Sequence, residues 1–220
     1  ETEKGPFVVF VQNAFPGQTV EAQVVKCKSK HAECRLLKVL EKADFELELP
    51  HQAIPGAPYA TVPIERQHEW KTATALDLYR KIGGVENLDD VFQGLVPSPE
   101  TWHYRNKMEY SFSEIRHDLE TDKKVDDFGL GFKHRGTWWA VENLDAESGL
   151  FDPLVESTLR EVRMWCEATG LPAWHPPQRK GFFRFLVVRK SMADGGLLVN
   201  LVTTSDAPLD VDGFVGLIRG

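Results

Sequence analysis

The sequence predicts an α+β protein: a small β-barrel over residues 1–50, a linker over 51–63, and an α+β domain with a mainly antiparallel sheet over 64–220. Three observations lead there. Short β-rich runs separated by turn signals fill the first fifty residues, a proline-bearing connector follows, and strand-like runs outnumber helix-period segments in the remainder.

The opening runs are Phe7 to Val11, Thr19 to Cys27, Glu33 to Leu40 and Asp44 to Leu49, with a Pro16-Gly17 turn between the first two. Val20, Ala22 and Val24 alternate, as a strand with one buried face requires. Five or so strands in this space, with a basic hairpin between Lys26 and His31, predict an OB-like barrel of the kind that binds oligonucleotides. Pro50 to Pro63 is too rich in Pro and Gly for a helix, and the domain boundary is placed there. From Ile64 to Ile82 apolar residues recur at Trp70, Ala73, Leu76, Leu78 and Tyr79, and Gly83-Gly84 closes this amphipathic helix. Strands are predicted at Tyr104 to Phe112, Gly129 to His134, Thr137 to Leu144, Phe182 to Arg189 and Gly196 to Thr203. Helices are predicted at Leu154 to Thr169, with Leu159, Val162 and Cys166 on one stripe, and from Val211 to Ile218.

The 42% hydrophobic and 27% charged fractions are those of a folded globular protein. No apolar run approaches the length of a membrane span, and Glu1 to Gly5 is charged rather than signal-like, so a cytoplasmic location without membrane contact is expected. Cys27, Cys34 and Cys166 are odd in number and lack CxxC spacing, which predicts reduced thiols rather than disulfides or a zinc site. The histidines show no ligand spacing and no metal site is expected. A net charge of −7 excludes nucleic-acid binding by bulk electrostatics and leaves it to local patches. One patch runs from Lys26 to Lys42, with Lys26, Lys28, Lys30, Arg35, Lys38 and Lys42; the acids collect at Glu114 to Asp127, and an acidic hairpin tip is expected at Asp118 to Asp127.

Tyr104-Arg105-Asn106-Lys107-Met108-Glu109-Tyr110-Ser111-Phe112 packs two cations and an amide beside aromatics. On a strand, alternation puts Arg105 and Lys107 on one face, spaced to follow adjacent phosphates, with aromatics opposite in the core. The same pattern also describes a solvated strand face. Trp138-Trp139 is expected to point to both faces of a strand, and Arg184 and Arg189, five apart, to opposite faces. Gly129-Leu130-Gly131 is read as a turn.

The run YRNKMEYSF resembles the YRNK-x-E-x-x-F signature of the RNA (uracil-5-)-methyltransferases. Gly181 to Arg189 is similar to the family's "LVVR" strand, followed by Leu197 to Thr203. Ala14-Phe15-Pro16-Gly17 with the Lys-rich strand and Ala32 to Leu36 resembles the TRAM domain that precedes the core in many members. The resemblance implies an RNA-binding portion, TRAM plus central domain, for structured RNA (rRNA or tRNA). It implies S-adenosylmethionine as cofactor of the full-length protein, held by a C-terminal methyltransferase domain missing from these residues together with the catalytic cysteine and glutamate. No catalytic residue is therefore assigned in this chain, no cofactor is expected on it, and whether it is an enzyme by itself is left open. Many members also hold an iron–sulfur cluster on cysteines after the barrel and one in the central domain. Here the connector reads His51 to Tyr59 without cysteine, and none lies near Glu147-Ser148-Gly149, so no cluster is expected. The candidate RNA-binding residues are Lys26, Lys28, Lys30 and Arg35 in the barrel, and Arg105, Asn106, Lys107, Arg184 and Arg189 in the second domain. The alternative is a non-catalytic module of the same two domains that binds RNA or a protein, the acidic balance favouring a basic protein partner.

Overall fold

The computed structural model describes residues 7–219. Glu1 to Gly5, with the rest of residues 1–6 of the expected first domain, and Gly220 lie outside them. The chain forms two compact units, one of residues 1–48 and 58–95, the other of 49–57 and 96–220.

In the first unit, β1 (Val8–Gln12), β2 (Thr19–Cys27) and β3 (His31–Glu41) form a three-stranded sheet in the order β1-β3-β2. β1 runs parallel to β3, whereas β2 and β3 are an antiparallel hairpin. The expected run Asp44 to Leu49 is not a strand: Asp44 and Phe45 turn, and Glu46 is occupied in accepting from the Ala43 amide and the Gln18 side chain. The described sheet thus has three strands rather than the five or so expected. β2 carries register shifts at Thr19/Val20, Glu21/Ala22 and Val24/Lys26, so its alternation breaks and Val24 is exposed.

Helix α1 (Ile64–Lys81) forms as its periodicity predicts. It ends where Gly83 donates to the Leu78 carbonyl at 3.2 Å and Gly84 takes a φ of +64°, a conformation that only glycine adopts without strain. The helix buries none of its residues fully. Trp70 holds it by packing at 5.5 Å edge-on to Phe45 and at 6.0 Å to Phe15, with Tyr59 stacked on Phe15. That aromatic cluster groups α1 with the small sheet, which differs from the expected placement of residue 64 as the start of the second domain. A short helix, α2 (Leu88–Val91), completes this unit.

The second unit is a two-layer α+β sandwich. β4 (Lys107–Asp118), β5 (Lys123–Lys133), β6 (Val141–Asn143), β7 (Phe183–Lys190) and β8 (Leu197–Thr203) form a sheet ordered β5-β6-β4-β7-β8, with β5 also pairing β4. All its pairings are antiparallel except β4 with β6, which touch at Arg116 and Val141. Helices α3 (Pro153–Ala168) and α4 (Val211–Arg219) supply the apolar residues that meet the sheet. Val155, Leu159, Val162 and Cys166 form the buried stripe of α3 and pack with Met108, Tyr110, Phe112, Phe183, Leu186 and Val188. Asp152 caps α3 by accepting from the amides of Leu154 and Val155, and Pro153 at the first turn gives up no needed donor.

Several expectations change in this unit. β4 starts only at Lys107, so Arg105 and Asn106 precede it and do not alternate with Lys107 on a strand face. The acidic stretch is a hairpin tip, as expected, with Asp118 opposite Lys123. Gly129 and Gly131 are not in a turn but inside β5, on the side where β6 crosses: an added Cβ at Gly131 would run into the carbonyl of Glu142. The expected strand Thr137 to Leu144 shrinks to Val141–Asn143, and Trp138-Trp139 sit in the bend before it.

Candidate functional site

The face of the sheet opposite α3 carries Lys107, Arg184 and Arg189, and Arg105 and Asn106 lie just before β4. Register places Lys107 directly across from Arg189, on the opposite side from their buried neighbours Met108 and Val188. Lys107 Nζ lies 3.2 Å from Glu109 Oε2, an exposed pair that holds it only weakly. Arg189 is exposed. Arg105 is also exposed, its guanidinium turned back to the Lys107 carbonyl at 3.4 Å while its amide donates to Leu150. Asn106 is exposed, and its carbonyl accepts from the Lys190 amide at 2.9 Å. Along β8 the same face presents Leu198, Asn200 and Val202, paired with Arg189, Val187 and Phe185.

Arg184 joins this face through an irregularity. Phe183 pairs with Thr203 and Phe185 with Val202, leaving Arg184 as an extra residue at the shift. The simple five-residue count put Arg184 and Arg189 on opposite faces; the bulge returns Arg184 to the side of Phe185 and Arg189. Its guanidinium carbon stands 3.7 Å from the Trp174 ring centroid. Trp138 and Trp139 likewise do not point to opposite faces, because the bend they occupy turns both towards one cleft with Arg184, Phe185 and Trp174.

In the other unit Lys26, Lys28, Lys30 and Arg35 are all exposed around the β2–β3 hairpin, whose turn is closed by the Lys28 amide donating to the His31 carbonyl at 2.8 Å. Arg35 donates to Gln23 Oε1 at 2.8 Å. Among the described residues no ion pair engages Lys26, Lys28 or Lys30.

The described residues do not fit an iron–sulfur cluster. Where the connector meets residues 143–149 the contacts are made by other groups: Gln52 Oε1 accepts from the amides of Asp145 and Ala146, its Nε2 donates to the Asn143 carbonyl, and its own amide donates to Glu147. His51 packs edge-on against Trp102 at 4.8 Å. No cysteine lies in this region, and among the described residues no group of three or more His, Cys, Asp or Glu could hold a metal. Nor does Gly129-Leu130-Gly131 offer a methyl donor a phosphate-type glycine loop, since it is strand under β6. Sequence spacing gave no hint that His117 and His134 stack at 3.6 Å, with His134 on Glu142 at 2.6 Å and His117 on Asp122 at 3.1 Å.

Burial pushes the Cys166 thiol up to about 12, which removes it as a nucleophile near neutral pH. Cys34 is buried as well, while Cys27 is exposed. A thiol-reactive dye added to the native chain should therefore label Cys27 rapidly and the other two only on denaturation; fast labelling of more than one thiol would contradict this packing.

This fold is shared with a solved RNA-modifying enzyme. The structure of Pyrococcus abyssi tRNA (uracil-54, C5)-methyltransferase in complex with S-adenosyl-L-homocysteine matches 94% of this chain with a TM-score of 0.65, at 20% sequence identity and over 44% of its own length. In sequence the chain is 31% identical over 215 residues to a protein of Clostridium tetani named an uncharacterized RNA methyltransferase. It is also 31% identical over 212 residues to one of the same name from Caldanaerobacter subterraneus. These matches cover 96% and 95% of this chain, which spans 44% of each relative's length. No protein-family model matches the chain. Among the described residues no helix is long and apolar enough to cross a membrane.

Proposed function

We propose that this chain is the RNA-holding portion of an S-adenosylmethionine-dependent RNA (uracil-5-)-methyltransferase, a TRAM-like domain plus a central domain. The observation that carries this reading is the outer sheet face, where Lys107 and Arg189 stand side by side and an aromatic cleft containing Arg184 lies further along the same two strands. Paired cations on a strand surface position phosphates without reading sequence, and the basic hairpin at Lys26, Lys28, Lys30 and Arg35 supplies a second such patch. The relatives' shared name supports an RNA substrate, and the motif resemblance makes it rRNA or tRNA. Methyl transfer, the donor and the thiolate chemistry belong to residues other than these 220. The three free thiols suit the reducing cytoplasm.

Binding of a labelled structured RNA, such as a tRNA, across a salt series tests the proposal. The chain should bind at low salt, and Lys107→Ala with Arg189→Ala should flatten the log–log salt slope by about two. Absence of affinity at low salt, or identical slopes for parent and double variant, would remove the outer sheet face from the RNA reading. The net charge of −7 favours a second reading, a module that binds a basic protein, and this would show as protein binding with no RNA affinity.

A further inference from the structure

We infer that the cleft around Arg184 is a binding pocket for a single unpaired pyrimidine of the RNA. This rests on the RNA-holding reading above and adds to it a ligand class and a place.

The cleft is about 120 Å³ and opens on the outer sheet face. Its walls are flat: Trp138, Trp139 and Trp174 line it with Phe185. Its charged lining is cationic, from Arg184 and Lys133, beside the neutral Ser111 and Ser113, so a positively charged ligand is disfavoured. Its frame is built in advance. Trp174 is held at both ends of its peptide, its amide donating to Phe183 at 2.9 Å and its carbonyl accepting from Glu114 at 3.1 Å. The Trp139 carbonyl accepts from Ser113 Oγ at 2.8 Å.

Within this frame the Arg184 Nε is buried and has no hydrogen-bond partner. The shielded Nε goes with a guanidinium laid across Trp174, and the β-bulge that puts Arg184 here is of the kind that re-aims a side chain beside a binding site. A ligand with an acceptor oxygen and a π face fits a cation held beside an exposed indole. It stacks on the exposed Trp138 indole, Arg184 already lying over Trp174 and Lys124 Nζ over Trp139 at 4.2 Å, while its oxygen accepts from the outer nitrogens of the Arg184 guanidinium. At about 120 Å³ the cleft is smaller than the apolar cavity of about 150 Å³ that takes up benzene, so it admits one ring at most and disfavours a purine. A pyrimidine carries ring carbonyls for Arg184 and, in RNA, a phosphate that Lys133 can reach from the rim. Base stacking on aromatic platforms is how single strands are gripped without base pairing.

The test titrates the 220-residue chain with short oligouridylate, oligoadenylate, free UMP and a structured tRNA, following tryptophan fluorescence and anisotropy. Oligouridylate should quench the tryptophans and bind several-fold more tightly than oligoadenylate, with UMP weaker still. Trp138→Ala and Arg184→Met should each weaken oligouridylate by about tenfold, the scale of one lost stacking partner. Trp138 is 61% exposed, so its substitution decides the matter if Arg184→Met fails to fold. Equal affinity for both oligonucleotides, or no effect of Trp138→Ala, overturns the pocket. UMP binding as tightly as oligouridylate assigns it to a free nucleotide and overturns the RNA assignment. If tRNA binds normally while these arms fail, the pocket alone is lost; if no RNA binds at all, the reading beneath it has failed.

Discussion

Glu156→Ala should destabilise the larger unit by about 4 kcal/mol, read as a lowered urea midpoint. Glu156 is 2% exposed on α3, and its carboxylate collects three donors: the Ser148 amide at 2.7 Å, the Ser148 hydroxyl at 2.7 Å and the Tyr110 hydroxyl at 3.3 Å. Alanine leaves all three inside the protein without an acceptor, and each orphan costs about 1 to 3 kcal/mol. Burial beside this carboxylate holds the Tyr110 hydroxyl well above the usual tyrosine range, so it stays a donor throughout neutral pH. Glu156→Gln keeps an acceptor oxygen but turns an NH₂ towards the remaining donors, and its loss should be smaller than that of alanine. An alanine variant as stable as the parent would mean that the 147–150 loop is not anchored to α3 in this way.

Gly131→Ala should cost about 3 kcal/mol or more, because the added Cβ collides with backbone and not with a side chain that could swing aside. It would meet the Glu142 carbonyl, with the Leu144 amide nitrogen 2.9 Å away. β6 pairs with β5 through Gly131↔Asn143 and Phe132↔Glu142, so relief requires those bonds to part. The strand pulled aside leads from Trp138 and Trp139, and the variant should also blunt the fluorescence response of the cleft. Circular dichroism with urea titration gives the first result; an unchanged midpoint would show that β6 does not press on β5.

The elements that could be read from the sequence are those whose cause is local. The stripe Leu159, Val162 and Cys166 makes α3 visible, and Trp70 with Gly83-Gly84 does the same for α1. Met108, Tyr110 and Phe112 alternate into the core as their spacing predicts. What could not be read depends on partners far along the chain. Gln52 is one polar residue among prolines until residues 143–147 fold against it. The bulge at Arg184 arises from pairing with β8, and without it counting along the strand gives the wrong face. Gly131 looks like turn punctuation because the strand that crosses it lies ten residues later. Trp138-Trp139 belong to a β-rich run that reads as strand, yet the Arg135-Gly136 turn, with Gly136 at a φ of +80°, precedes a bend at both indoles.

The chain gives residues 49–57 to the larger unit before returning to finish the smaller one. Ile54, on that excursion, is 8% exposed and belongs to the larger unit's hydrophobic core. A single cut therefore cannot yield either unit whole: a fragment beginning at Val96 lacks Ile54 and the Gln52 clamp, and one ending at Leu95 carries a core strip with nothing to fill. Dividing the sequence between the units takes three breaks, after residues 48, 57 and 95, so the connector is structure shared out between them and not a spacer.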